Sequence, residues 1–542
     1  MRAFSKILAF FSVTILFTSS SYAATVTGTV KGPDGTPFKG AFVQARNAQT
    51  HITVSVLSDK RGQYRVENLP GGEYQLQVRA LGFKVEAHNG VRLSADQNLS
   101  LEFTLEKGAV RWSDLSLYQG IRLLPEAKGK ETLTAHCFVC HGFQTKMAST
   151  IRDESGWRDR VNYMREEMKP LLASSFDDRK AEDVISYLNT IFGQDSTLPR
   201  SPAEMPEYKD LVRPFSDEAM KIVYVEYDLP GPNRMPWSAA PDKDGNFWMP
   251  SYGPVNKVGR LDPKTAEVQE FTVPAQGAAG IHSVVPAPDG TAWFSEFFLN
   301  KIGKIDSRTG TITEYRDSGG APGERPSKHT LRIDLQGNVW ATGSPLSKFD
   351  PRTGKFTHFL EVPSLYGITM DKEGNIWFTV IGKTEQDGKI GKVDAKTEKV
   401  TQWSVTTHGY PRRIEVDASG IVWFGVYRDG AIGRFDPKTE TFKEYQLPGP
   451  QPTPYALAVD KDEGVWYASM YQDVIGHLDP STGKVIEYPF PHSEGLMREF
   501  FFDSQGRIWF ATPTNNKVGY FYINVGNERG NQVANRSSLS PQ

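Results

Sequence analysis

Seven times in its C-terminal half the chain repeats a glycine and then a tryptophan inside a short apolar run. The tryptophans are Trp248, Trp293, Trp340, Trp377, Trp423, Trp466 and Trp509; six units read Gly-x-x-Trp, and the sixth is one residue shorter, Gly464-Val465-Trp466. Successive tryptophans stand 45, 47, 37, 46, 43 and 43 residues apart, the length of a four-stranded propeller blade. Several units continue with an Asp-Pro-x-Thr turn, as in Asp262-Pro263-Lys264-Thr265 and Asp436-Pro437-Lys438-Thr439, and then an outer strand with an aromatic residue, as in Glu444-Tyr445. The last unit stops at Tyr520-Phe521-Tyr522-Ile523 without an outer strand, and a spare one, Ile222-Val223-Tyr224-Val225-Glu226-Tyr227, precedes the first unit. Pairing the two closes a seven-bladed ring over 219–524 and leaves no open sheet edge.

Eleven residues before each tryptophan lies the start of the innermost strand, where side chains crowd the central mouth. Those positions hold Trp237, His282, His329, Tyr366, Arg412, Tyr455 and Arg498. All seven are large, and six carry a titratable group. A ring that only filled space would hold small or apolar residues, so we read a ligand-facing surface. A plug of mutually satisfied aromatics, cations and waters is the alternative. Arg412, Arg413 and Arg498 form a cationic sector suited to a carboxylate, an anionic sugar or a haem propionate.

Several propeller segments, among them Asp244-Gly245-Asn246-Phe247-Trp248, Trp293-Phe294-Ser295-Glu296 and Asn300-Lys301-Ile302-Gly303-Lys304-Ile305, resemble the virginiamycin B lyase (streptogramin lyase) family. The resemblance implies a seven-bladed propeller that opens a cyclic ester by elimination, with paired mouth histidines and carboxylates that hold magnesium. Residue by residue it implies His282 and His329 as the histidine pair and Glu296 as the acidic partner, with Mg2+ at the mouth. The family's glutamate two positions before its second histidine is here Ser327.

At 542 residues the chain is too long for one core, and three or four domains are expected. A net charge of −2 argues against electrostatic capture of nucleic acid. Arg2 and Lys6, the apolar stretch 7–17 and Ser21-Tyr22-Ala23 read as a secretory signal over 1–23, cut after Ala23. An exported, periplasmic protein with no transmembrane segment after cleavage follows. Only two cysteines occur, Cys137 and Cys140, so no disulfide framework holds the chain.

The pair stands in Cys137-Phe138-Val139-Cys140-His141, the spacing of covalent c-type haem attachment. On a helix, positions i, i+3 and i+4 share a face, so two thiols and an imidazole reach one haem. A local disulfide or redox dithiol is the bland reading, but no βαβ pattern surrounds the motif. Residues 157–164 and 181–192 read as helices, the second with Val184, Ile185, Leu188 and Ile191 on an apolar stripe and Gly193 as its stop. Residues 108–195 resemble small cytochrome c haem domains, in particular that of quinohaemoprotein amine dehydrogenase. That likeness implies one haem c, His141 as axial ligand and Met164 as the sixth ligand; Met168, before Lys169-Pro170, is the rival, and a packing role is open to either.

Residues 24–107 alternate apolar and polar in short runs, which predicts a small antiparallel sandwich. Asp59-Lys60-Arg61-Gly62-Gln63-Tyr64 and Leu69-Pro70-Gly71-Gly72-Glu73-Tyr74 resemble the carboxypeptidase regulatory-like domain. We expect it to act as a passive spacer or folding aid. Residues 196–218 read as a Pro-rich linker and 525–542 as a disordered polar tail. The fold expected is multidomain and mainly β: a sandwich, a small helical cytochrome c domain and a seven-bladed propeller. The function expected is electron transfer, with a redox protein or small electron donor as partner, coupled to an unknown ligand at the mouth. Elimination on a cyclic ester, and non-enzymatic glycan or peptide binding, are the alternatives.

Overall fold

In the computed structural model the described residues are 23–524, apart from 139, 173–174, 321–325, 363–364, 382–386 and 406–408. The expected export signal, up to residue 22, and the expected tail lie outside them. The chain is mainly β, with an N-terminal sandwich, a C-terminal propeller and a short helical segment between them. No described helix is long and apolar enough to cross a membrane.

Six propeller sheets run consecutively through four strands each; the first is Ala240–Pro241, Phe247–Pro250, Lys257–Leu261 and Val268–Thr272. Each repeat carries a turn that the tryptophan spacing alone did not reveal. In six blades an aspartate six residues before the tryptophan accepts its indole N–H, as Asp417 does from Trp423 at 2.8 Å. The other oxygen of Asp417 accepts the amides of Ser419 and Ile421, both at 2.9 Å. The aspartate therefore fixes the turn and the core ring together. The glycine between them is needed because Gly420 sits at φ +86°. Blade two has Ala287 at that position, and Trp293 keeps only the packing that other core tryptophans also make, here on Tyr315 and under Lys304.

The seventh blade closes as the repeat arithmetic requires. Ile222–Asp228 pairs antiparallel with Lys517–Ile523 in unbroken register from Lys517↔Asp228 to Ile523↔Ile222. Its other edge is not free, because Thr53–Leu57 of the sandwich pairs with it through Thr53↔Glu226, Val54↔Val225 and Ser55↔Tyr224. One eight-stranded sheet thus runs from Phe501–Phe502 through the closing strand to Glu86–Leu93 of the sandwich. The expectation of a passive spacer is corrected here: the sandwich covers the strand edge that ring closure leaves.

The helical segment holds α1 (Leu117–Leu123), α2 (Lys130–His136), α3 (Glu154–Glu167), α4 (Lys169–Leu172) and α5 (Asp178–Phe192). Asp153 and Asp177 cap α3 and α5, accepting the amides of Gly156 and Lys180. Val184, Ile185, Leu188 and Ile191 are buried against Trp157, Leu133 and Phe143, as the apolar stripe predicted. The expected linker is packed rather than free: Leu198, Met205, Tyr208 and Leu211 lie on this core, and Pro199 accepts the Trp112 indole N–H at 2.8 Å.

Candidate functional site

The seven mouth positions converge for a local reason. In five blades the register of the innermost strand breaks at that point, as between Ile281 and Val284 or Lys328 and Leu331. His282, His329, Tyr366, Arg412 and Tyr455 are each the first residue of such an irregularity, released from the ladder. Trp237 and Arg498 instead precede the short innermost strands of blades one and seven, Ala240–Pro241 and Phe501–Phe502, so the expectation that each mouth residue starts a strand is corrected there.

Hydroxyls two residues after the core tryptophan replace the lost backbone bonds. Thr379 accepts the Gly367 amide at 2.8 Å and donates to the Arg412 carbonyl of the next blade at 2.8 Å. Thr342 likewise joins Thr330 to Tyr366, and Ser295 joins Ser283 to His329. Blades two to five are stitched together directly behind the mouth. The signal, a Ser or Thr after Trp293, Trp340 and Trp377, was present in the sequence.

The side chains form a closed circuit. Trp237 meets His282 edge-on at 4.7 Å, His282 lies 3.6 Å from His329, and His329 lies 4.4 Å from Tyr366 between ring centroids. The Arg412 guanidinium sits 4.5 Å over Tyr366 and 5.5 Å over Tyr455; that of Arg498 sits 5.0 Å over Tyr455 and 4.1 Å over Trp237. Tyr252, Phe298 and Tyr427, which sequence reasoning missed, widen the aromatic wall.

Their surroundings push both histidines toward the neutral form. Burial pushes His282 well below the usual histidine range, with His329, Arg413 and Arg498 adding to it. Burial does the same for His329, reinforced by Arg413, Arg412 and Arg498. His329 Nδ1 lies 2.8 Å from the Thr330 hydroxyl, which also accepts from Arg413 at 2.7 Å.

Glu296 does not join them. It is buried in blade two beside Lys301, at 3.9 Å, and its carboxyl is raised by burial and then by contact with Glu314. Among the described residues no group of three or more His, Cys, Asp or Glu side chains is arranged to hold a metal ion. Magnesium takes oxygen ligands, whereas this mouth presents imidazoles, indole, phenols and guanidiniums. The donor set does not fit the ion that the resemblance implied.

The helical segment lies over this mouth. Met168, just past the end of α3, packs on Trp237, Tyr252 and Phe298. The Tyr118 amide donates to the Tyr471 carbonyl at 2.7 Å. The Thr145 amide and hydroxyl donate to one oxygen of buried Glu494 at 3.1 and 2.6 Å. A Cβ on Gly142 would lie 2.0 Å from the Gln144 side-chain oxygen and 2.9 Å from the Glu494 side chain, so a larger residue would displace both.

Gly142 follows the cysteine motif. The motif is not mid-helix, as expected, but at the end of α2: Cys137 is the C-cap and Cys140 lies in the following turn. Both thiols are free and half-buried. His141 is buried and its Nδ1 lies 2.8 Å from the Gly142 carbonyl, so Nδ1–H donates there and Nε2 keeps its lone pair. Arg498 is close enough to Cys140 to favour its thiolate, against the larger opposing effect of burial. Arg160 on α3 acts on His141. Met164 is one turn along α3 from Arg160 and half-buried; Met168 is one turn further, at the mouth.

Residues 25–106 match the carboxypeptidase regulatory-like domain, and residues 358–528 match the virginiamycin B lyase family. The C-terminal ring is a virginiamycin B lyase-like propeller. Among solved structures, a streptogramin B lyase is 25% identical, with a TM-score of 0.51, covering 57% of this chain and 100% of that one. Virginiamycin B lyase from Staphylococcus aureus is 22% identical with a TM-score of 0.50, covering 56% of this chain and 99% of that one, a likeness of fold alone. No curated protein matches the chain. The two domain matches fall on sandwich and propeller and do not reach the helical segment.

Proposed function

We propose that the chain is an exported monohaem c-type electron-transfer protein whose lyase-like propeller binds a small ligand beneath the haem-bearing cap. The observation that carries this reading is the combination of two free thiols, Cys137 and Cys140, with an imidazole already oriented by its own backbone. Cys137 and Cys140 would hold the haem covalently and His141 Nε2 would ligate its iron. Met164 is favoured as sixth ligand because Met168 is engaged with Trp237, Tyr252 and Phe298. When bound, the haem supplies a one-electron centre. The chain's own residues do the rest: the mouth circuit selects the ligand, and the cap excludes water from it. The electron partner is a redox protein or a small donor.

A second reading is elimination of the streptogramin lyase type, and the comparisons favour it, since they match the sandwich and the lyase-like propeller but not the helical segment. Neutral His282 or His329 would serve as the base that takes a proton from carbon. Against it stand the position of Glu296 and a mouth without metal-binding carboxylates. Two assays separate the readings. A reduced-minus-oxidised spectrum of protein from a cytochrome-maturing host, with haem retained after denaturation, supports the first; colourless protein refutes it. Magnesium-dependent opening of a cyclic ester, abolished in both His282→Ala and His329→Ala, would establish the second.

A further inference from the structure

Resting on the reading of the mouth as a ligand site, we infer that what it takes is a carboxylate on a planar body, anchored by Arg412. The mouth holds more positive charge and more donors than it can satisfy. Arg413, its neighbour in sequence, is matched: it faces Glu499 at 3.2 Å and donates to the Arg498 carbonyl at 2.9 Å and to Thr330 at 2.7 Å. Arg412 is not matched, for among the described residues no carboxylate pairs with it. It has only the faces of Tyr366, Tyr427 and Tyr455, at 4.5, 4.8 and 5.5 Å. Aromatic faces attract the guanidinium but do not neutralise its charge.

The unused polar atoms around it agree. Arg412 Nε, Trp237 Nε1, the Tyr455 hydroxyl and both nitrogens of His282 are buried and without hydrogen-bond partners. Trp237, His282 and Tyr455 are 5, 2 and 2% exposed, so water does not serve them from outside. Arg and Trp can only donate, and tyrosine and neutral histidine can each donate once. The missing partner therefore brings acceptors and negative charge, and the indole and phenol rings line its approach with flat apolar surface. A divalent cation would be repelled by the guanidiniums, and a neutral sugar would leave Arg412 uncompensated.

The carboxylate has two possible sources, a free ligand or the propionate of a haem carried by the cap. Calorimetric titration of the full-length protein with benzoate and with its neutral isostere benzamide tests the inference, alongside the haem midpoint potential of the unmodified chain and of Arg412→Gln. If a free ligand supplies the group, benzoate binds at least tenfold more tightly than benzamide, and Arg412→Gln removes that ratio. If the haem supplies it, the holoprotein ignores benzoate, while Arg412→Gln shifts the midpoint potential and its pH dependence. Should Arg412→Gln fail to fold by circular dichroism, Tyr455→Phe, which removes one donor and keeps the cation, must weaken benzoate at least threefold or shift the potential. Protein that carries no haem yet keeps the benzoate preference sinks the electron-transfer reading and leaves this inference standing. No benzoate preference together with an unmoved potential overturns it.

Discussion

Docking of the cap on the mouth is predicted to weaken as pH rises from about 4.5 to 7. Glu494 receives both Thr145 donors at the joint, and burial pushes its carboxyl up from 4.5 to about 7 against the favourable effects of Thr145, Lys146 and the Gly142 backbone. Undocked and solvated, the group ionises near its ordinary value; docked, it stays protonated longer. The docked state thus binds more protons between those limits, and its stability falls as pH rises through them. A separation of about 2.5 units corresponds to about 3 kcal/mol. Asp473, which accepts the amides of Glu494 and Gly495 at 3.0 and 2.8 Å, is raised by burial to about 7 and acts in the same direction. Hydrogen exchange of the Thr145 amide, corrected for intrinsic rate and followed from pH 4.5 to 8, reads this opening directly. Glu494→Gln should match the unmodified chain at the acidic end, be more protected at pH 8, and retain only the slope due to Asp473. Protection that rises with pH, or an unchanged slope in Glu494→Gln, would refute the assignment.

Thr379→Val removes one accepted and one donated bond behind the mouth and should destabilise the propeller by about 1–3 kcal/mol, read as a lowered urea midpoint with an unchanged slope. Asp417→Ala frees the Trp423 indole and two turn amides and should cost about 2–4 kcal/mol, whereas Ala287→Asp in blade two has no such bond to lose and should be tolerated. Val225→Pro sits where the closing strand pairs with Tyr520 on one side and Val54 on the other. It should open the ring and release the sandwich together, seen as new protease cleavage in both.

The tryptophan repeat and the unpaired terminal strand made the propeller and its closure legible, because each blade must bury the same face and a ring must pair its ends. The mouth positions were legible for the same reason: a fixed offset from the core tryptophan survives in every blade. What the linear pattern could not carry was the second use of the closing strand. Its pairing with Thr53–Leu57 depends on two segments far apart in sequence whose alternation alone fits many edges. Glu296 shows another limit, since a residue at a familiar motif position turns toward whichever charges lie nearby, here Lys301 and Glu314. Docking of the helical segment on the mouth was also invisible, because Thr145 and Glu494 are ordinary polar residues until the fold buries them opposite each other. The aspartate six residues before six of the seven tryptophans was readable but unread.

We propose that Cys137, Cys140 and His141 anchor a haem over the propeller mouth. Haem content per chain, by pyridine haemochrome absorbance and haem stain after denaturing electrophoresis, tests it most directly in protein produced by a host that matures c-type cytochromes. One haem per chain is expected, retained through denaturation and lost in Cys137→Ala/Cys140→Ala. Folded protein without covalent haem from that host would contradict it.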